Sequence, residues 1–346
     1  MVTATIEHVA KLAGVSKATV SRVINGVSTV SEENRNKVKK AMKELNFVPN
    51  LTARNLRNQR TGNIAVVVPE VGNAFFSRLV QSMAIEAEKQ GYQLLICQSR
   101  YKHEQEVNYL NFLKTKQVDG IILAAVRNEW EVIETYLASG PIVLCNETVQ
   151  NATVPVISPN QEYGGYIAAK HLLEQGHTKI AYCMGGDDSK TGLLRKKGFL
   201  KAIQEFDLIF DEKYYFNSET PQTGSGFEDG RVLFYQIRNM TEPPTAIFTG
   251  SDEVAVGIIT EAKKFGWNVP NDLAVIGFDN QPLASIIEPS LTTVDQPIDL
   301  IAQKAIKVLI EKINEGTTLK YENYEFPLEL IIRESTIKTR IPTVFS

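Results

Sequence analysis

The chain has 346 residues, with 37 Lys+Arg against 40 Asp+Glu for a formal net charge of -3, and it is 43% hydrophobic and 22% charged. Such a length suits two or three domains and such a composition an ordinary globular protein, which excludes disordered and fibrous classes. The apolar runs IAVVV and GIILAAV fall far short of the roughly 18 to 20 residues of a membrane span, and the scattered Cys97, Cys145 and Cys183 suit buried free thiols rather than a disulfide frame or a metal site.

The small net charge hides a division. Residues 1–60 hold 11 Lys+Arg and 4 Asp+Glu, whereas residues 61–346 hold 26 and 36. A basic end on an acidic body points to an anionic partner, nucleic acid first and a membrane surface second. The start MVTATIEHVAKLAGVSK shows no basic segment followed by an apolar core, so a cytoplasmic protein is expected.

Within the basic end, apolar residues recur at helical spacing: Ile6, Val9, Ala10 and Ala13, then Val20, Val23 and Ile24, then Val38, Ala41, Met42 and Leu45. Three short helices are predicted, starting at the N-caps Thr5, Ser16 and Ser31, with Glu32 and Glu33 in the first turn of the third. Gly14 suits the tight turn of a helix-turn-helix unit. If Val20, Val23 and Ile24 point inward, the second helix turns Lys17, Ala18, Ser21, Arg22 and Asn25 outward. These are not the Glu/Lys pairs that solubilise a free helix face. Arg22 suits bidentate contact with guanine, Lys17 a base or phosphate, and Ala18 close approach or a thymine methyl. Ser16, Thr19, Ser21 and Asn25 suit phosphate oxygens. The alternative is a small solvated three-helix domain.

TIEHVAKLAGVSKATVSRVIN followed by FVPN resembles the LacI/GalR family of bacterial transcription regulators, and the likeness runs through the whole chain. It implies that Lys17, Ala18 and Arg22 read bases. It further implies that residues 49–61, including Asn50 and Ala53, form a hinge helix on DNA and insert Leu56 into the minor groove. A wedge of that kind kinks the duplex, offsetting unstacking by added contacts. A free helix of about eight residues is marginal in water, so this segment needs support to order.

From residue 62 apolar strand runs alternate with amphipathic helices: NIAVVVP, YQLLIC, DGIILAA, PIVLCN, then KIAYCMG, TAIFTG and LAVIGFD. The expected fold class is an α/β two-lobe core with parallel sheets flanked by helices and an all-α N-terminal helix-turn-helix domain; the resemblance implies that this core is like that of periplasmic binding proteins. The expected boundaries are 1–48 for the DNA-binding domain, 49–61 for the linker and 62–340 for the core. Within the core, the N-lobe is expected over about 62–160 plus 291–321, and the C-lobe over about 161–290 plus 322–340. Segments 288–296 and 321–325 are the expected later crossovers.

Ligands of such sheets gather beyond the carboxyl ends of strands, here between the lobes. The resemblance implies that Asn73, Phe75, Phe76, Asn146, Arg195, Ser251 and Asp279 meet an effector, and an Arg with an Asp suits the clamping of sugar hydroxyls. Phe75 and Phe76 also fit a plain core, and Arg195 with Asp279 a structural ion pair. Where many relatives have Asp-Arg after the fourth core strand, this chain has Asn146-Glu147.

The expected partners are operator DNA, a carbohydrate effector such as the α-glucosides maltose or maltodextrin, and a second copy of the chain, since paired recognition helices demand a near-palindromic operator. The runs 75–90 and 298–313 suit either a dimer face or lobe packing. No leucine heptads follow the core, so a dimer rather than a tetramer is expected. A corepressor-dependent or phosphocarrier-protein-dependent regulator is the alternative within the family, and a sugar-binding transport protein the alternative outside it. G-x-S-x-G, H-E-x-x-H and phosphate-loop motifs are missing, and His8, His103, His171 and His177 lack ligand spacing. Those histidines read as surface or capping residues, and no catalysis, metal or cofactor is expected.

Overall fold

The computed structural model describes residues 4–24, 28–47, 60–147, 149–184, 190–217, 226–315 and 322–337. Asn25, Asn50, Ala53 and Leu56 lie outside them. The chain divides into two compact units, Met1–Thr61 and Gly62–Ser346.

The first unit contains helices α1 (Ile6–Ala13), α2 (Lys17–Ile24) and α3 (Glu32–Glu44). Thr5 caps α1 in a reciprocal box: its hydroxyl accepts from the His8 amide while His8 Nδ1 accepts from the Thr5 amide. Each bond satisfies a donor that the helix itself leaves open. Gly14 ends α1 at φ 63°, a left-handed conformation that only glycine adopts cheaply. Ser16 and Ser31 cap the next two helices by accepting from Thr19 and Asn34 amides. The helices close over a core of small side chains: Val9, Ala10, Ala13, Val20, Val23, Val38 and Ala41.

The second unit is two similar lobes. In the N-lobe sheet the strands are β1 (Asn63–Val68), β2 (Gln93–Gln98), β3 (Gly120–Leu123), β4 (Ile142–Cys145), β5 (Val156–Pro159) and β11 (Tyr324–Phe326). Their order is β11-β5-β4-β3-β1-β2, all parallel. In the C-lobe sheet they are β6 (Ile180–Met184), β7 (Tyr215–Asn217), β8 (Ala246–Thr249), β9 (Ala274–Asp279), β10 (Thr292–Asp295) and β12 (Glu329–Ile331), in the order β12-β10-β9-β8-β6-β7. Only β12 runs antiparallel. In both sheets the first strand lies between the second and third, so the winding direction reverses beside β1 and beside β6. Crevices at such reversals, outside the carboxyl ends of strands, are where ligands of doubly wound sheets bind.

The N-lobe sheet is covered on one face by α4 (Ala74–Lys89) and α12 (Ile298–Glu315), whose Leu79, Met83, Ile301 and Leu309 are fully buried. Arg78 Nη2 and Ser82 Oγ both donate to Asp299, joining the two helices across the chain. The inner sides of runs 75–90 and 298–313 are therefore lobe packing, while Ile85 and Leu300 stay exposed.

The lobe boundaries differ from expectation at their later crossings. Residues 292–295 pair with β9 in the C-lobe sheet rather than opening an N-lobe segment at 291, so the chain crosses at Gln296–Pro297. It crosses back between Phe326 and Glu329, since β11 pairs with β5 of the N-lobe and not with the C-lobe, as the 322–340 assignment had it. A short β-branched run such as TTVD reads the same in either sheet, and the choice is made by register against distant strands.

The histidines differ too. His171 and His177 are buried, not surface or capping groups: His171 Nε2 lies 2.8 Å from the Thr336 hydroxyl and His177 Nδ1 lies 2.9 Å from that of Thr245. Desolvation lowers the His171 pKa. Cys97, Cys145 and Cys183 are buried free thiols, pushed up to about 11, 12 and 12 by burial. No helix among the described residues is long and apolar enough to cross a membrane.

Candidate nucleic-acid interface and effector cleft

Helix α2 turns Val20 and Val23 inward and leaves Lys17, Ala18 and Arg22 exposed. Ser21 and Thr19 are half-buried. Ser16 Oγ accepts from the Thr19 amide and lies 2.9 Å from the Thr19 hydroxyl, so both side chains already brace the start of the helix. Lys17 Nζ lies 2.7 Å from Glu7 Oε1 on α1, with both side chains more than half exposed. A pair that open to water is worth little and is easily exchanged for a phosphate. Thr5, exposed at the start of α1, is already engaged by its capping box.

The second constellation lies between the lobes. Helix α7 (Gln161–Glu174) crosses α8 (Lys190–Glu205) very closely. A Cβ on Gly165 would lie 2.0 Å from the Arg195 carbonyl oxygen, and one on Gly198 1.7 Å from that of Glu162. This approach sets Arg195 over the Phe278 ring at 3.5 Å from its centroid. Arg195 Nε donates to Gln161 Oε1 at 2.6 Å, and Nη1 to the Gly250 carbonyl at 2.9 Å. Gln161 Nε2 in turn donates to Asn146 Oδ1 at 3.2 Å, so the relay passes from the C-lobe to the N-lobe. Asn146 (φ 65°), Asp279 (φ 102°) and Asn280 (φ 48°) occupy left-handed conformations at the ends of β4 and β9, a backbone strain that clusters at ligand sites.

Asp279 is buried and accepts from Gln296 Nε2 at 2.6 Å, in the crossover. Desolvation raises its pKa to about 6, with Arg195 pulling the other way through space. Arg195 is lowered by its own burial, against the attraction of Asp279. Ser251 caps α10 (Asp252–Lys264) by accepting from the Val254 amide, and Asn73 caps α4 by accepting from the Phe76 amide. Both caps follow strands that flank a reversal of winding. Phe75 and Phe76 meet edge to face with centroids 5.2 Å apart and belong to the N-lobe core. Of the two readings left open for them, the buried one describes their surroundings.

Sequence reasoning assigned no role to several residues of this region. Asp252 is fully buried, accepts from Thr293 Oγ1 and from the Gln281 amide, and has its pKa raised by desolvation to about 8. Glu106 is buried and accepts from the Arg127 and Asn128 amides and from Asn128 Nδ2, fixing the loop after β3 that carries Arg127. Glu147 and Gln296 each keep a side-chain oxygen sealed from solvent with no hydrogen-bond partner among the described residues. For Glu147 and Gln296 the signal was position, one or two residues beyond a strand end, whereas Asp252 and Glu106 lie in helices.

A profile described as bacterial regulatory proteins, lacI family, matches residues 5–50, and one described as a periplasmic binding protein-like domain matches residues 169–336. The NTD biosynthesis operon regulator NtdR of Bacillus subtilis is 41% identical over 332 residues, covering 96% of this chain and 99% of its own. The chain belongs to the LacI family. Other members of the family share its length: the transcriptional repressor CytR of Escherichia coli is 32% identical over 96% of each chain. Among solved structures, the lac repressor dimer bound to operator and the anti-inducer ONPF superposes with a TM-score of 0.85 at 26% identity, covering 97% of this chain and 100% of its own. This LacI-family member is thus a transcriptional regulator with an N-terminal DNA-binding domain and a two-lobe binding core.

Proposed function

We propose that the chain is a cytoplasmic, carbohydrate-responsive repressor that binds a near-palindromic operator as a homodimer. The observation that carries this reading is the exposed Lys17, Ala18 and Arg22 surface on α2, a helix whose other face closes the small core. Lys17, Ala18 and Arg22 read base edges in the major groove, Ser16, Thr19, Ser21 and Asn25 lie toward phosphates, and Thr5 contributes an exposed helix start. Asn50, Ala53 and Leu56 serve the hinge, with Leu56 as the minor-groove wedge. Exposed Ile85, Ile96 and Leu300 supply apolar material for the dimer face.

The effector lies between the lobes, with Arg195 and Asp279 at its hydroxyls and Asn146, Ser251 and Asn73 around it. The lac repressor structure with its anti-inducer supports an effector that acts on DNA binding, and a solved complex of the regulator CelR with cellobiose, 29% identical with a TM-score of 0.69, supports a carbohydrate. Closure of the cleft on effector separates the paired hinge segments, and a coupling of about 1 to 3 kcal/mol shifts operator affinity roughly 5- to 150-fold. No chemical step is assigned to the cleft, and the chain is read as a regulator rather than an enzyme.

The test is selection of bound fragments from random duplex DNA by the purified chain, repeated at fixed salt with a sugar panel that includes maltose and maltodextrin. One palindrome released by one sugar is expected. Enrichment without any sugar response, restored by a phosphorylated carrier protein, would replace the effector half of the proposal. Absence of any enriched sequence would remove all of it.

A further inference from the structure

Glu147 stands directly after β4, beside the left-handed Asn146, on the rim where the two lobes meet. Its electrostatic neighbours come from both sides: Arg127 and Glu106 from the N-lobe, Lys190 and Arg195 from the C-lobe. Its Oε2 is nevertheless sealed from solvent without a hydrogen-bond partner among the described residues. The nearby cations are engaged elsewhere or act only through space: Arg195 is bonded to Gln161 and Gly250, and Arg127 stands over the Tyr101 ring at 4.7 Å. Among the described residues, Gln296 Oε1 and Gln281 Oε1 are further sealed acceptors without a partner, beside such a donor, Gln281 Nε2. Left unmade, such bonds are costly, so a ligand rich in donors is wanted.

We propose that the effector is an amino sugar, a carbohydrate whose protonated amine pairs with Glu147 Oε2 while its hydroxyls meet Asp279 and Gln296. The inference rests on the carbohydrate reading and names the class within it. Four carboxyls, Glu147, Asp252, Asp279 and Glu253, the last accepting from the Ala74 and Gly226 amides, are all pushed above their ordinary range, chiefly by desolvation. That pattern marks a dry region, and Glu147 itself is held at about 7 by desolvation while Lys190, Arg127 and Arg195 pull the other way through space. An ammonium donor makes a charge-assisted bond about twice as strong as a hydroxyl's. The departure from Asp-Arg to Asn146-Glu147 fits the same reading, since it puts a carboxylate where a guanidinium would repel an amine.

The experiment is calorimetric titration of the full chain with glucose, its positional amino-deoxy isomers and their N-acetylated forms, alone and as disaccharides, on wild type and Glu147→Gln. At least one amino sugar is expected to bind about tenfold tighter than both its hydroxyl parent and its N-acetylated form, with that gap largely closed in Glu147→Gln. N-acetylation deletes the charge without touching the protein, so the result stands even if the variant folds poorly. Neutral sugars binding as tightly as every amino counterpart, or a preference unchanged in a folded Glu147→Gln, would overturn the amine contact and leave the carbohydrate reading intact. No binding by any sugar, with operator selection successful, would remove both.

Discussion

The three-helix unit and the cleft of the two-lobed unit hold their working groups in opposite settings. On α2, Lys17, Ala18 and Arg22 are exposed, and Lys17 is held by a surface pair with Glu7. In the cleft, Arg195, Asp279 and Asn146 are buried, with Gln161 joining Arg195 to Asn146 and Gln296 holding Asp279. A surface that must meet a highly charged polymer works best when its cations are free to exchange partners, because phosphate contacts are dominated by charge. A pocket that must select a small polar ligand works best when its groups are fixed beforehand and dry, because low dielectric strengthens each bond and penalises each one left unmade. Changes in the first setting should therefore alter binding and spare stability, whereas changes in the second should alter both.

Arg195→Ala should break the cleft side of this contrast most severely. It strands the buried Asp279 carboxyl and the Gln161 acceptor, and a loss on the order of 3 kcal/mol is expected in urea unfolding of the core, together with loss of effector binding. A loss below about 1 kcal/mol would mean that water reaches the floor of the cleft.

The acidic groups sharpen it next. Asp252 is held at about 8 against an ordinary 3.8, and Asp279 at about 6. Between the ordinary and the raised values the folded core keeps protons that the unfolded chain has released, so its stability should fall as pH rises from about 4 to about 8 and then level off. Asp252→Asn should flatten part of that slope in melting curves. An unchanged slope would show that this carboxyl ionises freely.

Arg22→Ala tests the exposed side. Loss of a bidentate base contact should weaken operator binding by about 1 to 3 kcal/mol, roughly 5- to 150-fold, and relax the sequence preference at one position. The melting transition of the core should not move. A weakening equal for all sequences would reassign Arg22 to phosphate contact.

The smallest change is expected from Thr5→Ala, which removes the hydroxyl half of the box that starts α1. About 1 kcal/mol should be lost from the helical unit alone, seen as earlier melting of helical signal with the core transition in place. Simultaneous loss of both transitions would show that the units unfold together.

The helical unit was almost wholly legible in the residues. Its caps, its turn glycine and its inward valines are local signals, since a period of 3.6 and a capping hydroxyl act within a few residues. The alternation of strands and helices was equally local, and it placed Asn73, Asn146 and Asp279 at strand ends. Folding then decided what periodicity cannot carry. Gln161 joins Asn146 to Arg195 across the lobes, Gln296 reaches Asp279 from the crossover, and TTVD joined the C-lobe rather than the N-lobe. Phe75 and Phe76, as apolar as any ligand-facing aromatic, went into the core because the first turn of α4 sets them in one buried cluster with α12 and the N-lobe strands. The sequence by itself determined which segments are helix or strand and which surface carries positive charge, because those properties depend on neighbours along the chain. Only the tertiary structure decided which carboxyls are dry and which acceptors lack partners, because desolvation and pairing depend on groups brought in from elsewhere in the chain, Gln296 onto Asp279 from 17 residues away and Thr293 onto Asp252 from 41.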